Sequence, residues 1–129
     1  MNPLHSKATT GALGELLVQL RLLQYEVQAA PPFRDSGNDL IAIRGKAVRS
    51  IQVKTTWSRR SAFPSARDPR TYDALALVQL VGDSSSVELD RSLIYLIPRT
   101  ILTGRRRGLN LDRFRLSAAT VDHMFEVQA

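Results

Sequence analysis

The residues in this sequence best suited to chemistry are a carboxylate, an amide and an amine within one short stretch. Asp39, Gln52 and Lys54 belong to two apolar, β-branched-rich runs that are joined by Gly45-Lys46. A two-residue link with glycine first is typical of a type II′ hairpin turn. In such a hairpin Asp39 lies directly opposite Gln52, and Lys54 shares their face because it is two residues further along. The spacing therefore predicts that the three groups converge at the open end of the hairpin.

A helix is predicted over residues 6–24, with Ser6 as its N-cap. Apolar residues at helical spacing form two stripes on opposite sides of it, which are Leu13, Leu16, Leu17 and Leu20, and Gly11, Val18 and Leu22. A helix that is apolar on two sides is usually packed on two sides, which suggests a homodimer. Glu15 belongs with the thinner second stripe, either as an exposed helix carboxylate or as part of a site. Gly11 and Gly14 each lower helix propensity, as a close approach of the backbone to another element would explain.

The remaining pattern predicts an α/β fold in a single domain, residues 1–129. Both strands of the central hairpin are apolar on both faces, so the hairpin is expected to be covered on both sides. The loop after it contains Trp57, which either anchors the loop on the core or contacts nucleic acid. Further elements are expected as strands at residues 25–29, 72–81 and 92–97, and as helical segments at 99–103 and 118–126.

The composition of the sequence excludes several classes of protein and site. The 129-residue chain has no cysteine, so it offers neither a disulfide nor a thiolate zinc site. It shows no secretory pattern and no apolar run near the roughly 18 residues of a membrane span, so a cytoplasmic protein is expected.

The net charge of +6 is concentrated in two basic blocks, residues 44–70 and 99–115. The planar guanidinium group of arginine presents hydrogen-bond donors that match the geometry of phosphate, so these blocks predict a polyanion partner. The alternative is a solvated basic surface without a partner. Two histidines, His5 and His123, lie near opposite termini and are expected to be surface residues. The expected nucleic-acid contacts are Arg59, Arg60, Arg67, Arg105, Arg106 and Arg107.

Taken together, an acid on the opening helix followed by Asp-x12-Gln-x-Lys on a hairpin resembles the PD-(D/E)xK nucleases, over about residues 7–57. The opening Gly-Ala-Leu-Gly-Glu-Leu-Leu is similar to the Holliday-junction-resolvase and small-endonuclease branches. The ending Ile-Gln-Val-Lys-Thr-Thr resembles members with glutamine in the third acidic place. The resemblance implies a restriction-endonuclease-like core, in which a mixed central β-sheet is flanked by helices and the N-terminal helix packs on the sheet.

The same resemblance implies a role for each residue. Asp39 is the metal-binding aspartate, Gln52 replaces the usual acid, Lys54 is the motif lysine and Glu15 is the helix acid. The implied metal is Mg²⁺, with Mn²⁺ as an alternative, held by Asp39, Gln52 and the Val53 carbonyl, with Glu15 holding a metal water. Lys54 would orient or help deprotonate the attacking water and offset charge in the transition state.

The sequence thus predicts a metal-dependent endonuclease that hydrolyses DNA. Two positions depart from the motif, since Asn38 replaces its proline and Gln52 removes one negative charge. Alternatives of other classes are a catalytically inactive DNA-binding module of the same fold and a structural or oligomerisation protein. A ribonuclease is a further alternative, because nothing in the sequence distinguishes DNA from RNA.

Overall fold

A five-stranded mixed sheet with one long helix against it organises the chain in a computed structural model, which describes residues 6–33, 39–57, 71–83, 85–104 and 109–126. The elements are α1 (Lys7–Leu23), β1 (Gln28–Ala30), β2 (Leu40–Arg44), β3 (Ala47–Thr56), β4 (Ala74–Gln79), β5 (Leu93–Pro98), α2 (Arg99–Gly104) and α3 (Ala118–Met124). Short 3₁₀ turns lie at Leu89–Arg91 and Leu111–Phe114. The mixed α/β class and the packing of the N-terminal helix on the sheet are as predicted. Among these residues no helix combines the length and apolar character needed to cross a membrane.

The strands follow one another across the sheet in chain order, β1-β2-β3-β4-β5. Only β3 and β4 pair in parallel, and the other neighbours are antiparallel. The hairpin of β2 and β3 has the predicted register, because Leu40 pairs with Ile51. Gly45 has a φ of +60° while Lys46 does not have a positive φ, as expected for a type II′ turn. The turn chemistry read from the sequence therefore sets the pairing observed.

The two faces of the sheet are covered differently. On one face, Leu17, Val18 and Leu22 of α1 join alternate residues of β2 to β5 in the main core. Val121 of α3 and Phe125, which caps that helix, complete it. On the other face, a second cluster lies between β4, β5, α2 and the second 3₁₀ turn, and its buried members are Tyr72, Leu75, Leu77, Tyr95, Ile97 and Leu102. This second cover protects β4 and β5 rather than the hairpin.

The expectation that the hairpin is covered on both sides is therefore wrong. Ile43 and Val48, which pair across the hairpin, are 44% and 53% exposed. The cause is that the second cluster takes its strand residues from β4 and β5. The hairpin face that carries Asp39 is consequently open to solvent along Ile43 and Val48.

Helix α1 begins as predicted, and it packs on the sheet with residues from both predicted stripes. The Ser6 Oγ accepts a hydrogen bond from the Thr9 N–H at 3.2 Å, which is the N-cap contact. Its buried residues are Gly14, Leu17, Val18 and Leu22. Of the predicted leucine stripe, Leu17 is buried, whereas Leu16 and Leu20 are 62% and 49% exposed, so the stripe is only partly packed. Leucines surround this helix, so periodicity alone did not distinguish its inner from its outer side.

The first strand begins later than predicted, because residues 24–26 close the helix. The Val27 N–H donates to the Leu22 carbonyl and the Glu26 N–H donates to the Leu23 carbonyl, which is the Schellman pattern. Glu26 takes the left-handed position with a φ of +64°. Val27 and Leu22 are both fully buried in the main core, which supplies the apolar contact of this motif. Glycine usually occupies that position, so the glutamate gave no sequence signal for the helix end.

Two cations of the first basic block hold the C-terminal helix rather than facing the open side of the sheet. Arg44 Nη1 lies 2.6 Å from Asp122 Oδ1 in an ion pair. Arg49 donates from Nε to the Met124 carbonyl and from Nη2 to the Glu126 carbonyl, at 2.9 and 3.2 Å. These bonds satisfy carbonyls at the end of α3, so part of the predicted polyanion charge has a structural role.

Gly14 determines how closely α1 approaches β3. A Cβ atom on Gly14 would overlap Thr55 Oγ1 and would lie 2.8 Å from Thr55 Cβ. Only glycine allows this distance between the helix and the strand. The close approach places the neighbouring Glu15 beside the open end of the hairpin, and it explains the glycine that helix propensity disfavours.

We expect Gly14→Ala to lower the free energy of unfolding by about 1–3 kcal/mol, because the added methyl group forces the helix away from Thr55. Gly11→Ala is the matched control, since a Cβ atom at that position would meet nothing within 4 Å. This control should gain up to about 1 kcal/mol from helix propensity. Urea denaturation of both variants is the measurement, and equal effects at the two positions would show that the close approach is not a constraint.

Candidate active site

Asp39 anchors the candidate site at the open end of the β2–β3 hairpin. Its Oδ2 accepts hydrogen bonds from Gln52 Nε2 at 2.9 Å and from the Val53 backbone N–H at 2.8 Å. Its own N–H donates to the Ile51 carbonyl, which continues the hairpin pairing. Within the described residues its Oδ1 accepts no hydrogen bond. The predicted meeting of Asp39 and Gln52 is therefore present in the structure.

Gln52 leaves one polar atom without a partner in a buried place. The residue is 5% exposed, and its Oε1 makes no hydrogen bond within the described structure. A carboxylate only accepts hydrogen bonds, so the contact with Asp39 fixes the amide with Nε2 toward it and Oε1 away from it. An unsatisfied buried acceptor costs about 1–3 kcal/mol. Such an atom in a polar site points to a bound group, and a cation is a suitable partner for an amide oxygen.

Lys54 lies on the same face of β3 as Gln52, two residues further along. Its side chain is partly exposed, and it makes no hydrogen bond or ion pair with the part of the chain that the structure describes. The ammonium is therefore available to a ligand. Val53 contributes through its backbone, since its N–H binds Asp39 while its side chain is buried in the main core.

Glu15 reaches the site from α1. Partial burial raises the pKa of the Glu15 carboxyl above its ordinary value of 4.5, and the negative charge of Asp39 raises it further. The second cause shows that the two acids are near enough to repel each other. Glu15 therefore interacts electrostatically with Asp39, and a cation between them would relieve the repulsion.

Two residues outside the predicted set help to position the helix. Trp57 Nε1 donates a hydrogen bond to Thr10 Oγ1 at 2.9 Å, which ties the end of β3 to the first half of α1. Trp57 also packs against the main core, as one of its two predicted roles required. Thr10 was missed because a single threonine in a helix carries no periodic signal. The feature that could have identified Thr10 is its position in the helix, between the N-cap Ser6 and Glu15.

The donor set suits a hard cation better than a soft one. Among the described residues, no group of three or more His, Cys, Asp or Glu side chains could hold a metal ion. The oxygens that the site offers are those of Asp39 and Glu15 with the amide oxygen of Gln52. Oxygen donors with few charges fit a cation that keeps several of its waters.

The predicted nucleic-acid contacts lie outside the described residues. They are Arg59, Arg60, Arg67, Arg105, Arg106 and Arg107. Their part in binding stays a prediction from the sequence.

Comparison with known proteins gives a likeness in structure but none in sequence. No protein-family model matches the sequence, and no curated protein matches it. A solved structure of a bacterial homing endonuclease, I-Ssp6803I, is similar with a TM-score of 0.61. The two chains are 15% identical, and the match covers 85% of this chain and 88% of that chain. At this identity the likeness shows the fold, which is thus a fold that a nuclease also has.

We expect the stability of the protein relative to Glu15→Gln to depend on pH. A carboxyl whose pKa is raised by folding contributes its full stabilisation at pH values below its pKa in the unfolded state. That stabilisation is lost as the pH rises through its pKa in the folded state. The wild-type protein should therefore match the variant near pH 4 and become less stable than it by about pH 8. Urea denaturation at several pH values is the measurement. A difference that stays constant over this range would place Glu15 in solvent, away from Asp39.

Proposed function

We propose that this chain is a metal-dependent endonuclease that hydrolyses DNA phosphodiester bonds. Its site would be a PD-(D/E)xK-type arrangement with glutamine in one acidic position, formed by Glu15, Asp39, Gln52 and Lys54. The observation that carries the proposal is the buried, unpartnered Gln52 Oε1 beside the Asp39 carboxylate, on the face that Lys54 shares. A fold like that of a homing endonuclease supports the reaction class.

Mg²⁺, or Mn²⁺ in its place, would be held by Asp39, Gln52 and the Val53 carbonyl, with Glu15 holding a water of the hydrated ion. The Gln52 Oε1, which has no hydrogen-bond partner in the described structure, and the neighbouring Asp39 carboxylate support this donor set. Mg²⁺ binds proteins through one or two carboxylates and keeps several waters, so a single direct carboxylate is enough. When bound, the cation supplies positive charge to the phosphoryl oxygens and makes a coordinated water more acidic.

The side chains have complementary tasks in this proposal. Lys54 offsets negative charge that develops on the phosphoryl group and orients the attacking water, because its ammonium has no partner among the described residues. Asp39 is held by Gln52 and Val53, so its free oxygen is directed without further rearrangement. The Glu15 carboxyl has a raised pKa, and a nearby cation would favour its ionised form.

DNA is proposed as the substrate because the similar solved structure is a homing endonuclease and because the sequence carries two arginine-rich blocks. Ile43 and Val48 are exposed on the hairpin face that carries Asp39, which leaves room for a long polymer beside the site.

A non-catalytic DNA-binding module of the same fold is the second candidate. The observation in its favour is that a neutral amide occupies position 52, where the motif has an acid. One fewer negative charge weakens the binding of a divalent cation. The two candidates share the fold and the partner, and they differ in whether the phosphodiester bond is cut.

Cleavage of supercoiled plasmid separates the two candidates. With Mg²⁺ or Mn²⁺ the wild-type protein should nick DNA, EDTA should stop it, and Asp39→Ala or Lys54→Ala should lower the rate by about 100-fold or more. Lys46→Ala is the matched control, because Lys46 is an exposed lysine in the turn of the same hairpin. DNA binding, measured by fluorescence anisotropy, should persist in Asp39→Ala. Binding without metal-dependent cleavage would support the non-catalytic module, and equal rates for Lys54→Ala and Lys46→Ala would remove Lys54 from the reaction.

Gln52→Glu tests the proposed cation site without using cleavage. The added carboxylate faces Asp39 and loses the Nε2 donor, so in EDTA the variant should unfold at a lower temperature than the wild type. Mg²⁺ should raise the melting temperature of both proteins, and it should raise that of the variant more, because stabilisation follows the affinity of the bound ion. Gln28→Glu on the exposed first strand is the control. Equal Mg²⁺ responses of all three proteins would mean that position 52 does not contact the cation.

A further inference from the structure

The outward side of α1 is apolar along almost its whole length. Its exposed residues recur every three or four positions, and they are Ala8, Ala12, Leu16, Leu20 and Leu23. The three leucines are 62%, 49% and 60% exposed. None of the five side chains is charged, and the stripe is about 22 Å long. A continuous exposed apolar surface of this kind marks an interaction site.

Two occupants fit this surface poorly. DNA requires cations near its phosphates, and the stripe carries none. The chain's own remaining segments are also unsuitable by composition. The longest one outside the described residues, 58–70, contains four arginines and only one large apolar side chain, Phe63.

A second copy of the same chain fits the surface well. We infer that α1 pairs with α1 of another copy, about a two-fold axis that passes near Leu16, Leu20 and Leu23. Their spacing of four and three residues is that of helices which pack against each other side by side. A two-fold axis places each surface against itself, so a charged residue near the axis would meet its like.

The charge distribution supports this choice of partner. The chain has a net charge of +6, so two copies repel through most of their surfaces. The stripe on α1 is free of charge, and Gln19 and Gln24 beside it are neutral amides. The copies can therefore approach along the stripe itself, because the charged residues of the helix, Lys7, Glu15 and Arg21, are not part of it.

The size of the surface sets the expected strength. A stable interface buries about 800 Å² per partner, which one helix pair of this length does not reach. We therefore expect a reversible dimer with a dissociation constant in the micromolar range. If the proposed function holds, the dimer would carry two sites, one in each copy.

Sedimentation equilibrium from about 1 to about 200 µM is the test of this dimer. The mass of the wild-type protein should rise with concentration toward that of a dimer, while Leu20→Glu should remain a monomer. Val48→Glu is the matched control, since Val48 is 53% exposed on the opposite face of the sheet, and it should behave like the wild type. A wild type that stays monomeric throughout, or a Leu20→Glu variant that dimerises equally, would overturn the inference. Circular dichroism of each variant shows whether it is folded.

A cross-linking experiment uses the absence of cysteine from the sequence. Single Leu16→Cys, Leu20→Cys and Leu23→Cys variants are oxidised, and at least one should form a disulfide-linked dimer, because a bond forms only where two Cβ atoms come within about 4.5 Å. Val48→Cys should give much less. Equal cross-linking by Val48→Cys would indicate random encounters and contradict the pairing. Neither experiment uses DNA or cleavage, so its outcome is independent of the proposed nuclease function.

Discussion

The register of the β2–β3 hairpin is the constraint on which the core and the candidate site both depend. Side chains alternate along a strand, so the observed pairing sends Ile51 and Val53 into the main core and Gln52 and Lys54 to the opposite face. A slip of one residue would exchange the two sets, which would place an ammonium in the main core and remove two apolar side chains from it. Gly45, with its φ of +60°, closes the turn that fixes this register. The site therefore gains its geometry from the same feature that organises the core.

Much of this arrangement could be predicted because its signals are local. The turn, the register and the meeting of Asp39 with Gln52 follow from the glycine at position 45 and from strand alternation. The start of α1 follows from the serine before it, and the cap of α3 has the same chemistry, in which Ser117 and Thr120 form a capping box. In each case the residue that carries the signal makes the contact itself. Such features do not depend on which other element packs nearby.

What could not be predicted depends on contacts between distant parts of the chain. The leucines of α1 gave no indication of which side faces the sheet, and that choice is decided by Gly14 meeting Thr55. Arg44 and Arg49 looked like part of a polyanion surface, but they bind the end of α3, more than seventy residues away. The open face of the hairpin has the same origin, because its apolar residues predict burial while α2 covers other strands. The type of a residue indicates which environment it favours, but the packing of distant elements decides which residues are placed in that environment.

Glutamine at position 52 allows the open end of the hairpin to fold without a cation. A glutamate there would face Asp39 across the hairpin, at a Cβ separation of about 5 Å, with Glu15 as a third acid nearby. In the absence of a cation, that repulsion would oppose the closing of the hairpin. The amide instead donates to Asp39, and what remains is a single buried acceptor at a cost of about 1–3 kcal/mol. In the proposed nuclease the site would thus be formed before a cation binds, at the expense of the affinity that a second carboxylate would provide.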